Sequence, residues 1–541
     1  MENEYPIISD QPFAQPTIAE QDGKPVEDLT GRNRLVSNVI FSWAAHFVFI
    51  VAGFIMPRMI DRRLGQELLG IWDFAWSLVS YFGLVEGGIG SSVNRYVARC
   101  RAVGDASGVN RIASSASFVL GCAGLLVLAL AIAVSLLLPR LFGARLGGNI
   151  SEARWVVFLL GVSLSIQIIF AVFNGVLTGC HQWRLHNINI SGWYAVTVAG
   201  MIVALLLGGR LRVLSTIILA GELLTDVTQL MLAYRVCKGL RLRKSLVQWL
   251  TIRELFWFGG KSVIPSVSNL LLNQTTSILI VAYLGPAALA LYSRPRSLIN
   301  QVEVLVRKMA MTLTPTITSL ESTGNLGEVR ELTVKGTRYS FYLSLPIVLM
   351  LAVFGGPIMQ LWMGPRYANG LVPAILAIGY LAVLVQIPAW NILVGLNAHG
   401  RAGAARLVAS LSSVVLNIVV LGYLKWGLVG TAIAITLPLT ILNIVDIPLL
   451  VCRRVHLDLR QYFLSVVVKP AFHVLLFVLC LITCRLLFRE ASLTGLAVAT
   501  AVGMAVLSLL YWHFVLPDTL KRRTYKLFGI RNWLGAGRVH L

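Results

Sequence analysis

Residues 112–138 read IASSASFVLGCAGLLVLALAIAVSLLL, an apolar run without a single charged side chain. A helix needs about 20 such residues to cross a membrane, and similar runs recur along the 541 residues. Hydrophobic residues make up 57% of the chain and charged residues 13%, with a mean hydropathy of +0.76. Soluble proteins carry about a quarter charged residues. The composition excludes a soluble enzyme, a disordered chain and a fibrous protein, and it predicts a polytopic membrane protein.

Short charged or Gly/Pro-marked turns separate the apolar runs. They predict an all-α polytopic membrane protein with about 14 transmembrane helices. The largest loop expected inside the bundle lies near 314–336, which is too short for a folded domain. The predicted spans are 34–57, 68–92, 112–138, 154–177, 187–208, 213–235, 255–284, 286–313, 337–361, 370–394, 402–423, 427–451, 468–488 and 493–516.

Two parts of the chain look like a tandem duplication. At one constant offset Leu64-Gly65 aligns with Leu284-Gly285, and Ser77-Leu78 aligns with Ser297-Leu298. The matched spans lie six helices apart, so the copies keep the same membrane orientation, as in transporters whose two bundles rock about a shared site. The expected parts are a disordered cytoplasmic tail (1–33), an N-lobe (34–235), a basic cytoplasmic linker (236–254), a C-lobe (255–452), two further helices (453–516) and a basic cytoplasmic tail (517–541).

The net charge of +22 comes from 46 Lys and Arg against 24 Asp and Glu. Cytoplasmic loops of helical membrane proteins collect such cations. If both termini are cytoplasmic, about 31 of the 46 cations fall on the inner side, which supports this orientation. No basic stretch is interleaved with aromatic residues on a soluble segment, so nucleic acid is not an expected partner.

The chain offers no pattern typical of a catalytic or metal site. Its seven cysteines form no CxxC pair and no Cys/His cluster, so neither a disulfide scaffold nor a metal site is predicted. We also find no nucleophile with a base and no paired carboxylates at supporting spacing. The sequence therefore predicts that the protein is not an enzyme and has no cofactor, while coupling to a proton or a sodium ion stays open.

Ionisable residues at membrane depth are the sharpest functional signal, because each costs about 2.5–3.5 kcal/mol to insert. Arg294 and Arg296 lie well inside the eighth predicted span, on either side of Pro295. Guanidinium groups bind phosphate oxygens in a bidentate manner, so both arginines are candidate ligands for a diphosphate. The alternative is that Arg296 forms an ion pair with Glu303 or with an acid of the second span.

Four further residues are candidates for substrate binding. Lys261 would make the first contact with an anionic substrate. Asn273 and Gln274, deeper in the same span, would bind hydroxyl groups or simply hydrogen-bond between helices. His46 would bind a sugar or titrate, or it is a hydrogen-bonded core residue.

The acidic residues within the spans have competing interpretations. Asp73 is either a ligand for a coupling ion or sugar, or a hydrated carboxylate near the outer interface. Glu86 has a coupling role or, as we expect, pairs with a loop cation such as Arg95. Glu222 and Asp226 share a helix face and are expected to pair with cations on the cytoplasmic side.

Several motifs resemble those of one known group. They are RLGQELLGIW at 63–72, GGIGSSVNRYVA at 87–98, YLGPAALALY at 283–292, LWMGPRY at 361–367 and GLVGTAI at 427–433. Together they resemble the multidrug/oligosaccharidyl-lipid/polysaccharide (MOP) exporter superfamily, in particular its O-antigen and exopolysaccharide repeat-unit flippases. The resemblance covers about residues 34–451. It implies a V-shaped alternating-access bundle whose helices 1, 2, 7 and 8 line a central cavity.

The resemblance also implies a function and partners. We expect a flippase that moves polyprenyl-diphosphate-linked oligosaccharides across the bacterial inner membrane for O-antigen, exopolysaccharide or capsule synthesis. Membrane lipids, a polysaccharide polymerase and a chain-length regulator would be its partners. The alternatives are a multidrug or metabolite exporter or a lipid II flippase of the same superfamily, and, less favoured, a polysaccharide polymerase or ligase.

Overall fold

The computed structural model describes residues 32–260, 263–311, 313–488, 492–516 and 521. All regular structure in these ranges is helical, as predicted. The α-helices are α1 (Arg32–Leu64), α2 (Gln66–Phe82), α3 (Ile89–Ala102), α4 (Ala106–Leu146), α5 (Ile150–Gly179), α6 (Trp183–Leu206), α7 (Leu211–Val236), α8 (Trp249–Gly260), α9 (Val263–Leu270), α10 (Thr276–Leu284), α11 (Pro286–Ala310), α12 (Leu313–Ser322), α13 (Leu326–Met363), α14 (Leu371–Gly395), α15 (His399–Ile418), α16 (Gly427–Ile441), α17 (Ile447–Val455), α18 (Leu459–Phe463), α19 (Lys469–Leu487) and α20 (Leu493–Phe514).

Twelve helical segments of the described chain are long and apolar enough to cross a membrane. This confirms the multi-pass architecture. One of the twelve, Ala106–Gly179, contains both α4 and α5. Helix α11 does not qualify, since its charged residues lower its hydropathy. The count of fourteen helices and the tandem repeat stay predictions.

The predicted span 68–92 is interrupted in the structure. Helix α2 ends at Phe82, and a 3-10 turn leads to Gly87 and Gly88, whose φ angles are +59° and +73°. Glycine adopts this left-handed region without steric cost. A Cβ on Gly88 would also lie 2.8 Å from the carbonyl oxygen of Gly259, so the two glycines allow the turn to pack closely on α8.

The prediction of a loop near 314–336 is wrong. That segment forms α12 and the first turns of α13. Asn325 caps α13 by accepting a hydrogen bond from the backbone N–H of Glu328. Its polar residues belong to amphipathic helices that bury one face, including Ile317 and Val329, and polar composition alone does not distinguish such a helix from a loop.

The helices pack in two groups, and we use the names N-lobe (34–235) and C-lobe (255–452) for these parts of the chain, whose division stays a prediction. In the first group α4 packs on α5, α7 packs on α5, and α6 packs on α1. In the second group α14 packs on α13 and on α16, and α15 packs on α16. Helix α2 of the N-lobe packs along α11 of the C-lobe. The last two helices pack on each other and on α13, and Tyr462 of α18 is fully buried.

The turns that follow α1, α10 and α13 lie at one end of the bundle. According to the orientation predicted from loop charges this end faces outward, and we call it the outer end. Helix α11 starts there at Pro286, at a position where its missing N–H costs no hydrogen bond. Arg294 and Arg296 follow two to three turns further in, at about 1.5 Å of rise per residue.

Candidate functional site

A polar cavity of about 790 Å³ lies between α2 and α11. Both lobes contribute to its wall: His46, Asp73, Trp76 and Ser77 come from the first. The second contributes amide, hydroxyl and charged side chains from α9 to α11. They include Asn269, Asn273, Gln274, Ser277, Arg294, Arg296, Ser297, Asn300, Gln301, Glu303 and Arg307.

Arg294 and Asp73 form an ion pair across the cavity. The guanidinium Nη2 lies 2.5 Å from the carboxylate Oδ2, and both side chains are largely buried. The Nε of Arg294 is buried and has no hydrogen-bond partner among the described residues. Asp73 is therefore an ion-pair partner in this conformation, and a role in binding a coupling ion or sugar stays a prediction.

Arg296 is held by three neighbours. Its Nε and Nη2 donate to Asn273 Oδ1 at 3.2 and 3.0 Å, and its Nη2 lies 3.8 Å from Glu303 Oε2. The guanidinium also stacks on the ring of Tyr380, 4.2 Å from its centre. Its Nη1 is buried without a partner in the described structure. The predicted pairing with Glu303 is present, together with an amide and an aromatic ring.

Asn273 owes its position to a short π-helical segment, Leu271–Thr275. A π-helical turn adds a residue to the helix and shifts the side chains that follow, and such turns are frequent at functional sites. In the same segment Gln274 lines the cavity, and Thr275 hydrogen-bonds Tyr81 of α2. The local distortion thus aims two amides into the cavity.

Glu303 carries more positive neighbours than it can neutralise. Besides Arg296 it pairs with Arg307 one turn along α11, and it attracts Arg406 of α15 electrostatically. With Asp73 and Arg294 included, four guanidinium groups face two carboxylates. The region keeps an excess of about two positive charges and suits an anion.

The remaining predicted substrate ligands have different outcomes. His46 and Gln274 line the cavity as expected. Lys261 lies outside the described residues, as do most of the two predicted tails. Arg95, the expected partner of Glu86, instead stacks on Phe258 at 4.5 Å.

Hydrogen bonds close the outer end between the lobes. Arg58 donates to the carbonyl of Leu361 at 2.6 Å, and Tyr367 donates to Asp61 at 2.8 Å. Gly70 packs so tightly on α11 that a Cβ there would lie 1.7 Å from the Pro286 carbonyl oxygen. The Asp73–Arg294 pair lies directly inward of these contacts along α2 and α11.

A second cavity of about 620 Å³ lies within the N-lobe and is acidic. Glu86, Glu222 and Asp226 line it, and none of them forms an ion pair among the described residues. Gln167 donates to Glu222 at 3.5 Å, and Asp226 Oδ2 is buried without a partner. The predicted pairing of these acids with cytoplasmic-side cations is wrong, because the helices turn them into the lobe.

Sequence reasoning missed Arg307 and Arg406 as part of the site. The orientation predicted from loop charges places both on the inner side as loop cations, but Arg307 lines the central cavity and Arg406 lies within α15. The spacing of Glu303 and Arg307, four residues apart on one helix face, is a signal for this pairing. Nothing in the sequence identifies Tyr380 as the ring under Arg296.

Comparisons with known proteins agree with the resemblance seen in the sequence. The model of the polysaccharide biosynthesis protein family matches residues 114–371. The chain is 24% identical over 433 residues to the uncharacterized membrane protein EpsK of Bacillus subtilis (strain 168), covering 77% of this chain and 82% of that protein. It is 21% identical over 415 residues to a Shigella flexneri protein named "Putative O-antigen transporter", covering 72% of this chain and 92% of that protein.

Solved structures show the same fold. The lipid II flippase MurJ in an inward closed conformation gives a TM-score of 0.67 at 13% identity, covering 88% of this chain and all of that one. An inward-facing multidrug resistance transporter of the MATE family, within the MOP superfamily, gives a TM-score of 0.65 at 16% identity, covering 76% of this chain and 95% of that one. The family model and the two relatives agree with the predicted resemblance to polysaccharide transporters, and the solved structures show that the chain shares their fold.

Proposed function

We propose that this chain, a multi-pass membrane relative of the polysaccharide transporters of the MOP superfamily, moves polyprenyl-diphosphate-linked oligosaccharides across the bacterial inner membrane. In this proposal both termini are cytoplasmic, and fourteen helices form two parallel six-helix lobes in a V-shaped bundle with two additional helices. The observation that carries it is the polar cavity between α2 and α11, with its excess of arginine.

The cavity has the chemistry that a charged sugar head group needs in order to leave water. Arg294 and Arg296 supply donors for the diphosphate. Amides and hydroxyls such as those of Asn273, Gln274 and Asn300 replace the water around the sugar. The polyprenyl tail stays in the lipid, because nothing is gained by moving it into a polar cavity.

The ion pairs provide a way to couple binding to movement. Removing one partner from a buried pair costs about 3–5 kcal/mol, because the other charge is left unpaired. A diphosphate that replaces Asp73 keeps Arg294 paired, whereas the carboxylate of Asp73 loses its partner and must gain water as α2 and α11 separate. Substrate binding thereby favours opening of the outer end.

The acidic N-lobe cavity supports a separate role for a cation. Glu86, Glu222 and Asp226 face it without a counter-charge among the described side chains. Carboxylates in such a place bind a cation or take up a proton. We therefore assign the coupling ion, a proton or sodium, to this cavity, and leave Asp73 and Glu303 as ion-pair partners of the arginines.

The alternatives fit the cavity less well. An exporter of cationic drugs needs an acidic central cavity, whereas this one has excess positive charge. A lipid II flippase shares the diphosphate chemistry and differs in the glycan. We propose that the protein transports its substrate and has no catalytic activity, so it is not itself a polymerase or ligase. A polysaccharide polymerase and a chain-length regulator would be its partners and would act on the exported units.

A complementation experiment tests the proposal. Cells that lack the gene should lose surface polysaccharide and accumulate the lipid-linked repeat unit, and the wild-type gene should restore export. A double variant, Arg294→Glu with Arg296→Glu, should fail to restore it at equal protein level. The matched control is Arg140→Glu with Arg145→Glu, two exposed arginines at the outer end of α4. Normal export by the first double variant would contradict the proposal.

A further inference from the structure

A smaller pocket of about 230 Å³ opens beside the central cavity, inside the C-lobe. Pro265 and Arg307 line both spaces, so the two are neighbours. The other polar or aromatic lining residues come from α14 to the π-helical segment that follows α16. They are Trp390, Asn391, His399, Arg406 and Asn443.

Arg406 is the unusual residue of this pocket. It donates no hydrogen bond and forms no ion pair within the described ranges, and its Nε is fully buried. Its guanidinium lies 5.7 Å from the centre of the Trp390 ring. Glu303 attracts it, but that carboxylate already pairs with Arg307 and Arg296. A buried charge without a full partner is costly, and an anion placed beside Arg406 removes that cost.

Two amides of the pocket also lack partners. Asn391 Nδ2 and Asn443 Oδ1 are buried and make no hydrogen bond within the described structure. Buried polar atoms are nearly always hydrogen-bonded, and exceptions call for an explanation such as strain, a functional role or a bound water or ion. One amide group offers a donor and the other an acceptor, as hydroxyl groups require.

The size of the pocket limits what it can hold. Its 230 Å³ corresponds to about eight water molecules at roughly 30 Å³ each, which is room for one sugar ring. The indole of Trp390 provides an apolar face for such a ring. In the proposed complex the diphosphate lies on Arg294 and Arg296 of the central cavity, so a sugar further along the oligosaccharide can reach this neighbouring pocket.

We infer that the C-lobe pocket binds an acidic sugar residue of the transported oligosaccharide. Arg406 takes the carboxylate, Trp390 packs on the ring, and Asn391 and Asn443 bind hydroxyls. The inference rests on the proposed function, and it narrows the substrate class to oligosaccharides that carry a uronic acid or a similar acidic sugar.

Calorimetry with the purified full-length protein in lipid nanodiscs tests the inference. The probes are trigalacturonate, the matched neutral galactotriose and inorganic pyrophosphate. Trigalacturonate should bind and galactotriose should bind at least about tenfold more weakly. The variant Arg406→Gln should weaken trigalacturonate about 10- to 100-fold, the range for one charged hydrogen-bonded pair, and should weaken pyrophosphate by a clearly smaller factor, because Arg406 contributes only at a distance to the charge around Arg294 and Arg296.

The control variant is Arg401→Gln, on the same helix but with a side chain that is 64% exposed. It should bind all three probes like the wild type. Equal binding of the acidic and neutral sugars by the wild type overturns the inference, whether or not the variants fold. Equal weakening of trigalacturonate and pyrophosphate by Arg406→Gln also overturns it, since the pocket would then hold phosphate. If the wild-type protein binds trigalacturonate but does not bind pyrophosphate, the result counts against the proposed function and not against this pocket.

Discussion

Arg294 of α11 and Asp73 of α2 form a buried ion pair that joins the two lobes, with Nη2 and Oδ2 2.5 Å apart. The same arginine is our first candidate ligand for the substrate diphosphate. A substrate that binds Arg294 must therefore compete with Asp73. This relationship links the binding of an anion to the contact between the lobes.

Neutralising Asp73 should loosen the outer end. In Asp73→Asn the charge of Arg294 is left without its partner, so the closed conformation loses stability. Spin labels at Arg63→Cys and Asn369→Cys, two exposed positions on opposite lobes, report the separation in a background without the native cysteines. We expect a larger population at long distance than in the labelled parent.

The reciprocal exchange is the control for this prediction. Asp73→Arg combined with Arg294→Asp restores the pair with its charges reversed, and should return the distance distribution toward that of the parent. If Asp73→Asn leaves the distribution unchanged, the ion pair does not hold the outer end closed.

A side chain at Gly70 should block closure. A Cβ at this position would lie 1.7 Å from the Pro286 carbonyl oxygen, a contact that backbone atoms cannot relieve without moving apart. Gly70→Val should reduce export strongly, and the same spin-label pair should show a persistently open outer end. Gly121→Val is the matched helical control, since a Cβ there meets nothing within 4 Å; equal export by both variants would exclude a role for this contact.

The unpaired acids of the N-lobe should determine the dependence of transport on the ion gradient. Glu222→Gln combined with Asp226→Asn removes the charges that face the N-lobe cavity. Transport into vesicles should then lose most of its response to an imposed proton or sodium gradient, while pyrophosphate binding stays within about twofold. Glu331→Gln, at an exposed position, should keep the response; an unchanged response in the double variant would place coupling elsewhere.

Tyr462 should matter for stability and not for transport. Its hydroxyl donates to Gln386 Oε1 at 2.9 Å, and both side chains are buried. Tyr462→Phe leaves the amide oxygen without this partner, at a cost of about 1–3 kcal/mol. The apparent Tm in detergent should fall, whereas Tyr423→Phe, at a position that is 81% exposed, should not lower it. An unchanged Tm for Tyr462→Phe would show that water replaces this hydrogen bond.

The helical architecture was predictable because a membrane imposes length and apolarity on each span. The same reasoning identified Arg294 and Arg296, since ionised groups at that depth need a reason to be there. It did not decide between substrate binding and ion pairing, because the partner Asp73 lies 221 positions away along the chain. Only the packing of α2 on α11 brings the two together.

Other features were missed for similar physical reasons. Arg307 and Arg406 lie near predicted span ends, where hydropathy cannot separate a loop cation from one that faces a cavity. The amphipathic helices across 314–336 have too polar a composition to be recognised by apolar length. The turn at Gly87 and Gly88 requires positive φ angles, which close helix packing alone does not predict.

Transfer of a labelled polyprenyl-diphosphate oligosaccharide across proteoliposome membranes tests the central claim most directly. The account predicts that the wild-type protein flips the lipid and that Arg294→Gln combined with Arg296→Gln slows flipping by about tenfold or more, in line with the loss of charged hydrogen bonds. Arg140→Gln with Arg145→Gln should flip at the wild-type rate. Flipping by the Arg294 and Arg296 double variant at the wild-type rate would contradict the claim that these arginines carry the anionic head group.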